Sequence, residues 1–353
     1  MTLLYAVVPR FYAEAERAAD PSLAGRPVIV GGDPRKRGLV QSATEDALAQ
    51  GVAIGMPVLE ALERCPGARA RRTNIRAYRE LAGRLRACLR VAAGQLEPAG
   101  LEAAYLDAGA GDPAPEALAA GLRAEVQRTL HLPLRVGIAP VKFAAKLAAE
   151  ESGATGIRRV AAEELRAFLA PLPVQRLPGV GPHTLAAFRE LGIESVGDLA
   201  AARREAVEER LGNHGLALQG LARGQGEARL RPAPHARSLS QETTLEASER
   251  DLAVLEALLG ELAGRLAAVL ARERLGARRL VLKLRYGDHE SVTRSRTLGR
   301  AVAAAPEIAE VAGELLRRTQ AGERPVRLLG LAAFRLAGRP RDDRQLPLFR
   351  GEE

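Results

Sequence analysis

Tryptophan is absent from this sequence of 353 residues, and aromatic residues make up only 3% of it. Cysteine occurs twice, as Cys65 and Cys88, with no CxxC and no histidine nearby. That spacing excludes a disulfide framework or a zinc site, and the expectation is reduced, buried thiols in a cytoplasmic protein. No apolar run approaches the ~20 residues that a bilayer span needs, and no basic n-region precedes a cleavable apolar segment. A membrane partner and a secretory route are therefore not expected. Several enzyme chemistries are missing too. There is no GxxxxGK[ST] and no GxSxG. The five histidines (His131, His183, His214, His235 and His289) show no HExxH or paired ligand spacing.

What is present is apolar residue in quantity, 47%, and a surplus of positive charge, +9 at pH 7. A chain of this length suggests two to four domains. The charge favours an anionic partner, nucleic acid first, although an Arg-rich composition alone also makes a basic surface.

Along the chain, LLYAVVP reads as a strand and Phe11 to Ala19 as a helix. RPVIVGG is a short strand, and residues 38–68 read as strand, helix, turn, helix. A long Arg- and Ala-rich helix covers roughly Ile75 to Gly94, followed by a strand pair from Leu96 to Gly111. The helix PEALAAGLRAEVQRTLH and the strand–turn–helix LRVGIAPVKFAAKLAAE complete an α/β region of antiparallel or mixed character. Pro171 to Arg229 reads as entirely helical. A Pro-rich basic linker, Arg229 to Ser238, leads to helices (Ser248 to Leu275, Pro306 to Thr319) alternating with strands.

Three stretches carry chemistry. In LPGVGPHTLAAFRELGI, Gly179, Val180 and Gly181 form a hairpin between helices, leaving backbone N–H groups at a helix start where a phosphate fits without sequence readout. From Arg272 to Arg300 nine Lys or Arg residues, among them Arg278 and Arg279, face three acidic ones. Lys283 and Arg285 alternate with apolar residues, and Arg294 and Arg296 repeat the alternation. The expectation is one basic sheet face tracking a sugar-phosphate backbone. Lys142 and Lys146 lie one helical turn apart.

In their order, these stretches together with FYAEAE, LAGRPVIVGG, GVAIGMPVLEALERCPGA, EPAGLEAAYLDAG and ARSLSQETTLE resemble the Y-family DNA polymerases of the DNA polymerase IV kind, over essentially the full length. The resemblance implies an α+β multidomain chain with the right-hand polymerase fold. Its parts are a palm (1–10 and 75–166), fingers (11–74), a helix-hairpin-helix thumb (167–230), a linker (231–240), an α+β little finger (241–338) and a tail (339–353).

The family's two-metal nucleotidyl transfer needs carboxylates, because Mg²⁺ takes hard oxygen ligands. Aligned on Phe11 and Tyr12, the family's first Asp falls on Val7 and the next on Pro9. Its second metal-binding Asp falls on Glu102, and the adjoining Glu on Ala103. The Tyr-Glu-Ala-Arg motif that holds the triphosphate falls on Glu45, Asp46, Ala47 and Leu48, where the carboxylates are expected to repel phosphate. Lys146 matches a phosphate-contacting lysine and Tyr12 the ribose gate. The tail residues Gln345, Leu346, Leu348 and Phe349, in QLPLF, resemble the bacterial sliding-clamp peptide.

The resemblance therefore points to the catalytically inactive, ImuB-type branch: a cytoplasmic, nucleoid-associated bacterial accessory factor in translesion synthesis. Its partners would be DNA, bound without sequence preference, the sliding clamp and another DNA polymerase. No cofactor and no metal are expected, save Glu102 as a lone ligand. The alternative is an active lesion-bypass polymerase using Mg²⁺ at a rearranged site built from Glu102, Asp107 or Glu97. A third reading makes the chain a clamp-recruited scaffold whose DNA contacts are incidental.

Overall fold

The computed structural model describes residues 2–93, 95–109, 114–231 and 238–338, and the chain divides into two compact units, Met1–Ala233 and Pro234–Glu353. The first unit opens with β1 (Leu3–Val7) and α1 (Phe11–Ala19), then β2 (Val28–Gly31), β3 (Val40–Ala43), α2 (Glu45–Ala49), α3 (Val58–Arg64) and β4 (Arg69–Arg72). It continues with α4 (Ile75–Ala93), β5 (Leu96–Pro98), β6 (Ala103–Asp107), α5 (Pro115–Leu130), β7 (Arg135–Ala139), α6 (Lys142–Glu150) and β8 (Ile157–Arg159).

The main sheet runs β5-β6-β1-β7-β8, with β1 antiparallel to both neighbours and β7 parallel to β8. Leu3, Leu4, Tyr5 and Ala6 are all buried, which is what a central strand covered on both faces requires. On one face, Leu4, Ala6 and Val8 pack with Phe11 of α1, with Tyr78, Leu85 and Leu89 of α4 and with Leu122 of α5. On the other, Tyr5 and Ala103 pack with Phe143, Ala144 and Leu147 of α6. The spacing of Tyr78, Ala82, Leu85 and Leu89 is the apolar stripe of an amphipathic helix.

Helix α6 lies directly against the backbone of β7. A Cβ on Gly137 would sit 1.9 Å from the Ala145 carbonyl oxygen and 2.3 Å from the Ala149 nitrogen. Neither backbone atom can move without shifting the helix. Gly137→Ala is expected to destabilise the unit by about 3 kcal/mol, read as a lower denaturation midpoint at unchanged m.

A small sheet, β3-β2-β4, packs its own core from Ile29, Val40, Val52 and Val58. Strand β4 has no counterpart in the sequence reading, because RARR offers a single apolar residue, Ala70, which packs on the small core while the backbone pairs with β2. The helical stretch that follows comprises α7 (Leu165–Leu169), α8 (Pro182–Glu190), α9 (Val196–Ala201) and α10 (Arg204–Ala222). Ser195 and Asp198 close a reciprocal capping box on α9.

The second unit contains β9 (Ser238–Glu249), α11 (Leu252–Arg272), β10 (Leu275–Tyr286), β11 (Ser291–Val302), α12 (Ala305–Leu316) and β12 (Val326–Gly338). Its antiparallel sheet runs β11-β10-β12-β9, and both helices cover one face through Leu259, Leu266, Ile308 and Leu315. Ser248 and Glu249, expected in a helix, end β9 instead. The helix starts only where Asp251 accepts a hydrogen bond from the Ala253 N–H.

Candidate nucleotide site and nucleic-acid interface

Strand pairing brings Val7 directly opposite Ala103, so the two positions aligned with family carboxylates are neighbours on one face. Both carry hydrocarbon and pack into the core beside α6. Glu102, immediately before β6, accepts the Val8 N–H on its backbone carbonyl. It is the single carboxylate of that constellation. Among the described residues, no group of three His, Cys, Asp or Glu side chains is placed to hold a metal ion. Two divalent cations need several hard oxygen ligands, and one Glu does not supply them. The donor set does not fit the family's two-metal chemistry.

The alternative ligands are engaged elsewhere. Glu97 Oε2 receives the Lys142 ammonium at 2.6 Å and the Arg231 backbone N–H at 2.6 Å. Asp107 accepts the Gly109 N–H and pairs with Leu3, four residues along the strand from the Val7–Ala103 pair, or about 13 Å away.

The positions aligned with the family's triphosphate motif carry ion pairs. Arg10, in the left-handed conformation at φ 52°, pairs with Glu45, and Arg135 approaches the same carboxylate at 3.9 Å. Arg17 Nη2 donates to both Asp46 oxygens at 3.0 and 3.1 Å. Burial works against ionisation of Asp46, but hydrogen bonds from Thr44 and Arg17 outweigh it and hold the carboxyl below its usual range. The sequence leads one to expect Glu45 and Asp46 to repel phosphate; in the structure each pairs with an arginine, 35 and 29 residues away respectively. No local pattern could reveal those partners. Leu48, in the same helix, contributes only to the adjacent core.

Nearby Glu14 is half-buried, and burial pushes its carboxyl up despite Arg17 and Arg10. A carboxyl raised in the folded state gains stability as pH falls through its folded pKa, so its ionised form is a cost at neutral pH. Glu14→Gln is expected to raise Tm at pH 7 by roughly 2–4 °C, a gain that vanishes in mildly acidic buffer.

Tyr12 stacks on Tyr78 at 4.6 Å and 14°, and the Tyr78 hydroxyl donates to Glu16 at 2.6 Å. Lys146 is exposed and lines a cavity of about 440 Å³ with Tyr105, Lys142, Glu150 and Arg176. Lys142 is buried and joined to Glu97 and Glu227, so the two lysines share the cavity but not its chemistry. Burial pushes the Tyr105 phenol up to about 12, with Glu97, Glu150 and Glu227 adding to it.

At the helix hairpin, Gly179 adopts φ 96°, a conformation that favours glycine, and its carbonyl sits 3.2 Å from His214 Nε2. The Val180 N–H closes the turn onto the Leu177 carbonyl. Gly181 caps α8 without a side chain, and a Cβ there would meet nothing within 4 Å. Gly181, Pro182 and His183 are exposed, and because Pro182 has no N–H, the first-turn donors without an intrahelical acceptor are those of His183 and the buried Thr184.

On the second unit, the expected single basic face divides. Register pairs Lys283 with Thr293 and Arg285 with Ser291, but it pairs Leu282 with Arg294 and Leu280 with Arg296. Arg294 and Arg296 thus lie on the helix-covered side. There Arg294 donates to the Arg318 carbonyl at 3.0 Å and Arg296 pairs with Glu314 of α12. Arg278 is exposed but out of phase with Arg279, beside an irregularity between Ala277 and Arg279. The open face holds Arg279, Lys283 and Arg285 with Thr293, Ser295 and Thr297, and across the sheet Ser240 and Thr244. The hydroxyl rows were not anticipated, although Ser and Thr alternation in β9 and β11 could have revealed them. Lys283 is tied to Glu242 at 3.2 Å. The residues Gln345, Leu346, Leu348 and Phe349 lie outside the described residues.

A palm-like sheet, a helix-hairpin-helix and a separate α+β unit, in that order along the chain, are the parts of a Y-family DNA polymerase. The impB/mucB/samB family matches residues 7–150, its C-terminal domain residues 236–348, and the family's HHH motif residues 162–193. The chain is 38% identical to a DNA polymerase IV from Methanoculleus marisnigri, over 95% of this chain and 94% of that one. It is 36% identical to a DNA polymerase IV from Halorhodospira halophila, over 96% and 95%. A chimeric Y-family DNA polymerase shares the fold with a TM-score of 0.85 at 23% identity, covering 95% of this chain and 99% of that one. An insertion ternary complex of the Dbh DNA polymerase follows at 0.72, also at 23% identity, over 95% and 98%. The chain belongs to the Y-family DNA polymerases, on the DNA polymerase IV side.

Proposed function

We propose that this chain is a catalytically silent Y-family protein that binds DNA and the sliding clamp as an accessory factor in translesion synthesis and damage tolerance. The observation that carries the reading is the hydrocarbon pair Val7–Ala103 where the family's chemistry needs carboxylates. The Arg10–Glu45 and Arg17–Asp46 pairs support it, because the guanidiniums nearest the phosphate-binding positions already hold anions. Neither change alone is decisive; together they remove both metal and triphosphate. The palm, fingers, thumb and little-finger boundaries, and the ImuB-type branch, belong to the same proposal.

DNA is held without sequence preference through the hairpin at Gly179 to Gly181 and the open sheet face at Arg279, Lys283 and Arg285, which address backbone rather than bases. The neighbouring Dbh structures include an insertion ternary complex, in keeping with such a role. QLPLF supplies the clamp contact, and two weak contacts give localisation by avidity. The compartment is the cytoplasm at the nucleoid, and another DNA polymerase completes the synthesis.

A second reading, an active bypass polymerase using Mg²⁺ at a rearranged site, is favoured by the near-full-length identity to DNA polymerase IV relatives. Titrating a deoxynucleoside triphosphate with Mg²⁺ onto the DNA-bound protein separates the two. The silent protein shows no nucleotide-dependent rise in Tm, whereas saturable stabilisation at micromolar nucleotide favours the active one. Deleting Gln345 to Phe349 is expected to abolish co-elution with a bacterial clamp and leave DNA affinity intact. Undiminished co-elution overturns the clamp contact.

A further inference from the structure

The palm-like sheet carries a second strongly basic surface, on the side away from Val7 and Ala103. Helix α4 buries Tyr78, Ala82, Leu85 and Leu89 against the face shared by Leu4 and Ala6, whereas Val7 and Ala103 pack on the opposite face. The helix therefore lies on the opposite side of the sheet from Val7 and Ala103. Arg76, Arg79, Gly83, Arg86 and Arg90 recur at intervals of three, four, three and four residues, which places them in one row along the flank of that buried stripe, about 100° round the helix from it. Arg76, Arg79 and Arg90 are exposed, and Arg86 is half-buried with one N–H 3.5 Å from the Gly100 carbonyl.

The row is poorly neutralised. Arg76 meets Glu80 at 3.2 Å with its side chain 91% exposed, an arrangement that contributes little in water. Arg79 and Arg90 make no ion pair among the described residues, and Arg84, farther round the helix, makes none either. Gly83 sits at the centre of the row. A glycine inside a helix is destabilising relative to alanine, and no packing calls for it, since a Cβ there meets nothing within 4 Å. A bare point between flanking cations is what a close-lying backbone requires.

We propose that this basic flank of α4 is a second nucleic-acid site that binds one sugar-phosphate backbone, so that the protein holds two nucleic-acid segments at once. The four arginines lie within fifteen residues of helix, fourteen rises or about 21 Å, which matches roughly six stacked nucleotides at about 3.4 Å each. No aromatic side chain lies in the row, so the contact is electrostatic and blind to sequence. The ligand is either a single strand or a second duplex, which share this backbone.

The test is a two-segment capture with the full chain. Protein bound to an immobilised primer-template hairpin is offered labelled oligothymidylate in one arm and a labelled blunt duplex in the other. The expected result is capture that falls with salt at a log–log slope near −2.8 for the single strand or −3.6 for the duplex, as four neutralised phosphates require. The variant R76Q/R79Q/R86Q/R90Q is expected to lose capture at least tenfold and keep its hairpin affinity and circular dichroism. Removing the same charge elsewhere, in R26Q/R128Q/R203Q/R204Q, is expected to change capture less than twofold. Equal capture by wild type and the row variant, or equal loss in both variants, overturns the proposal. Loss of hairpin binding in the wild type would instead count against the DNA-binding reading on which this second site rests.

Discussion

Reversing charge at Arg279, Lys283 and Arg285 is expected to weaken duplex binding about a hundredfold, at roughly 1 kcal/mol for each cation taken away from a phosphate. The slope of log affinity against log salt should become shallower by about 2.7, the signature of three phosphates no longer neutralised. Reversing Arg294 and Arg296 should change binding by less than about threefold, because both lie on the helix-covered side against Arg318 and Glu314. Glu242→Gln should act in the opposite sense, tightening binding, since it frees Lys283 from its 3.2 Å partner. Fluorescence anisotropy across a salt series reads all three. Equal losses from the two basic sets would mean that the face assignment does not govern DNA contact.

Putting carboxylates back is expected to have the second large effect, on stability. In the variant V7D/A103E the new side chains stand directly opposite one another, in a place now filled by Val7 and the 2% exposed Ala103. Without a cation, two like charges forced together there cost about 3–5 kcal/mol, and Tm should fall by roughly 10 °C. Mn²⁺ should restore most of the loss in the variant and do nothing for the wild type, because it binds only where carboxylates converge. A variant as stable as the wild type without metal would show that the pocket is more solvated than its packing indicates. Even with Mn²⁺, nucleotide binding should stay weak until Glu45 and Leu48 are also replaced, since Arg10 remains held by Glu45.

The parts of this molecule legible in its sequence are those set by local pattern. The run LLYAV, buried on both faces, and the i, i+3, i+4 spacing of α4 follow directly from apolar periodicity. So does the hairpin, where Gly179 needs a positive φ. Alternation in β10 and β11 showed that each strand has two faces, but not which face of one adjoins which face of the other. That phase depends on the turn at residues 287–290, which pairs odd residues with odd ones and sends Arg294 and Arg296 to the helix side. Pairs distant in sequence left no local trace. Arg10 with Glu45, Arg17 with Asp46, and Lys142 with Glu97 are separated by 29 to 45 residues and meet only once both sheets are assembled. The lack of carboxylates at Val7 and Ala103 is visible only because a family pattern tells which positions should carry charge; both are otherwise ordinary core residues.

Primer extension by the purified chain, on an undamaged and a lesion-bearing template with Mg²⁺ and with Mn²⁺, tests the central claim most directly. The expected result is no templated incorporation under any of these conditions, alongside measurable binding of the same primer-template. Robust incorporation that Glu102→Ala abolishes would contradict it, and would assign catalysis to the one carboxylate left at the head of β6.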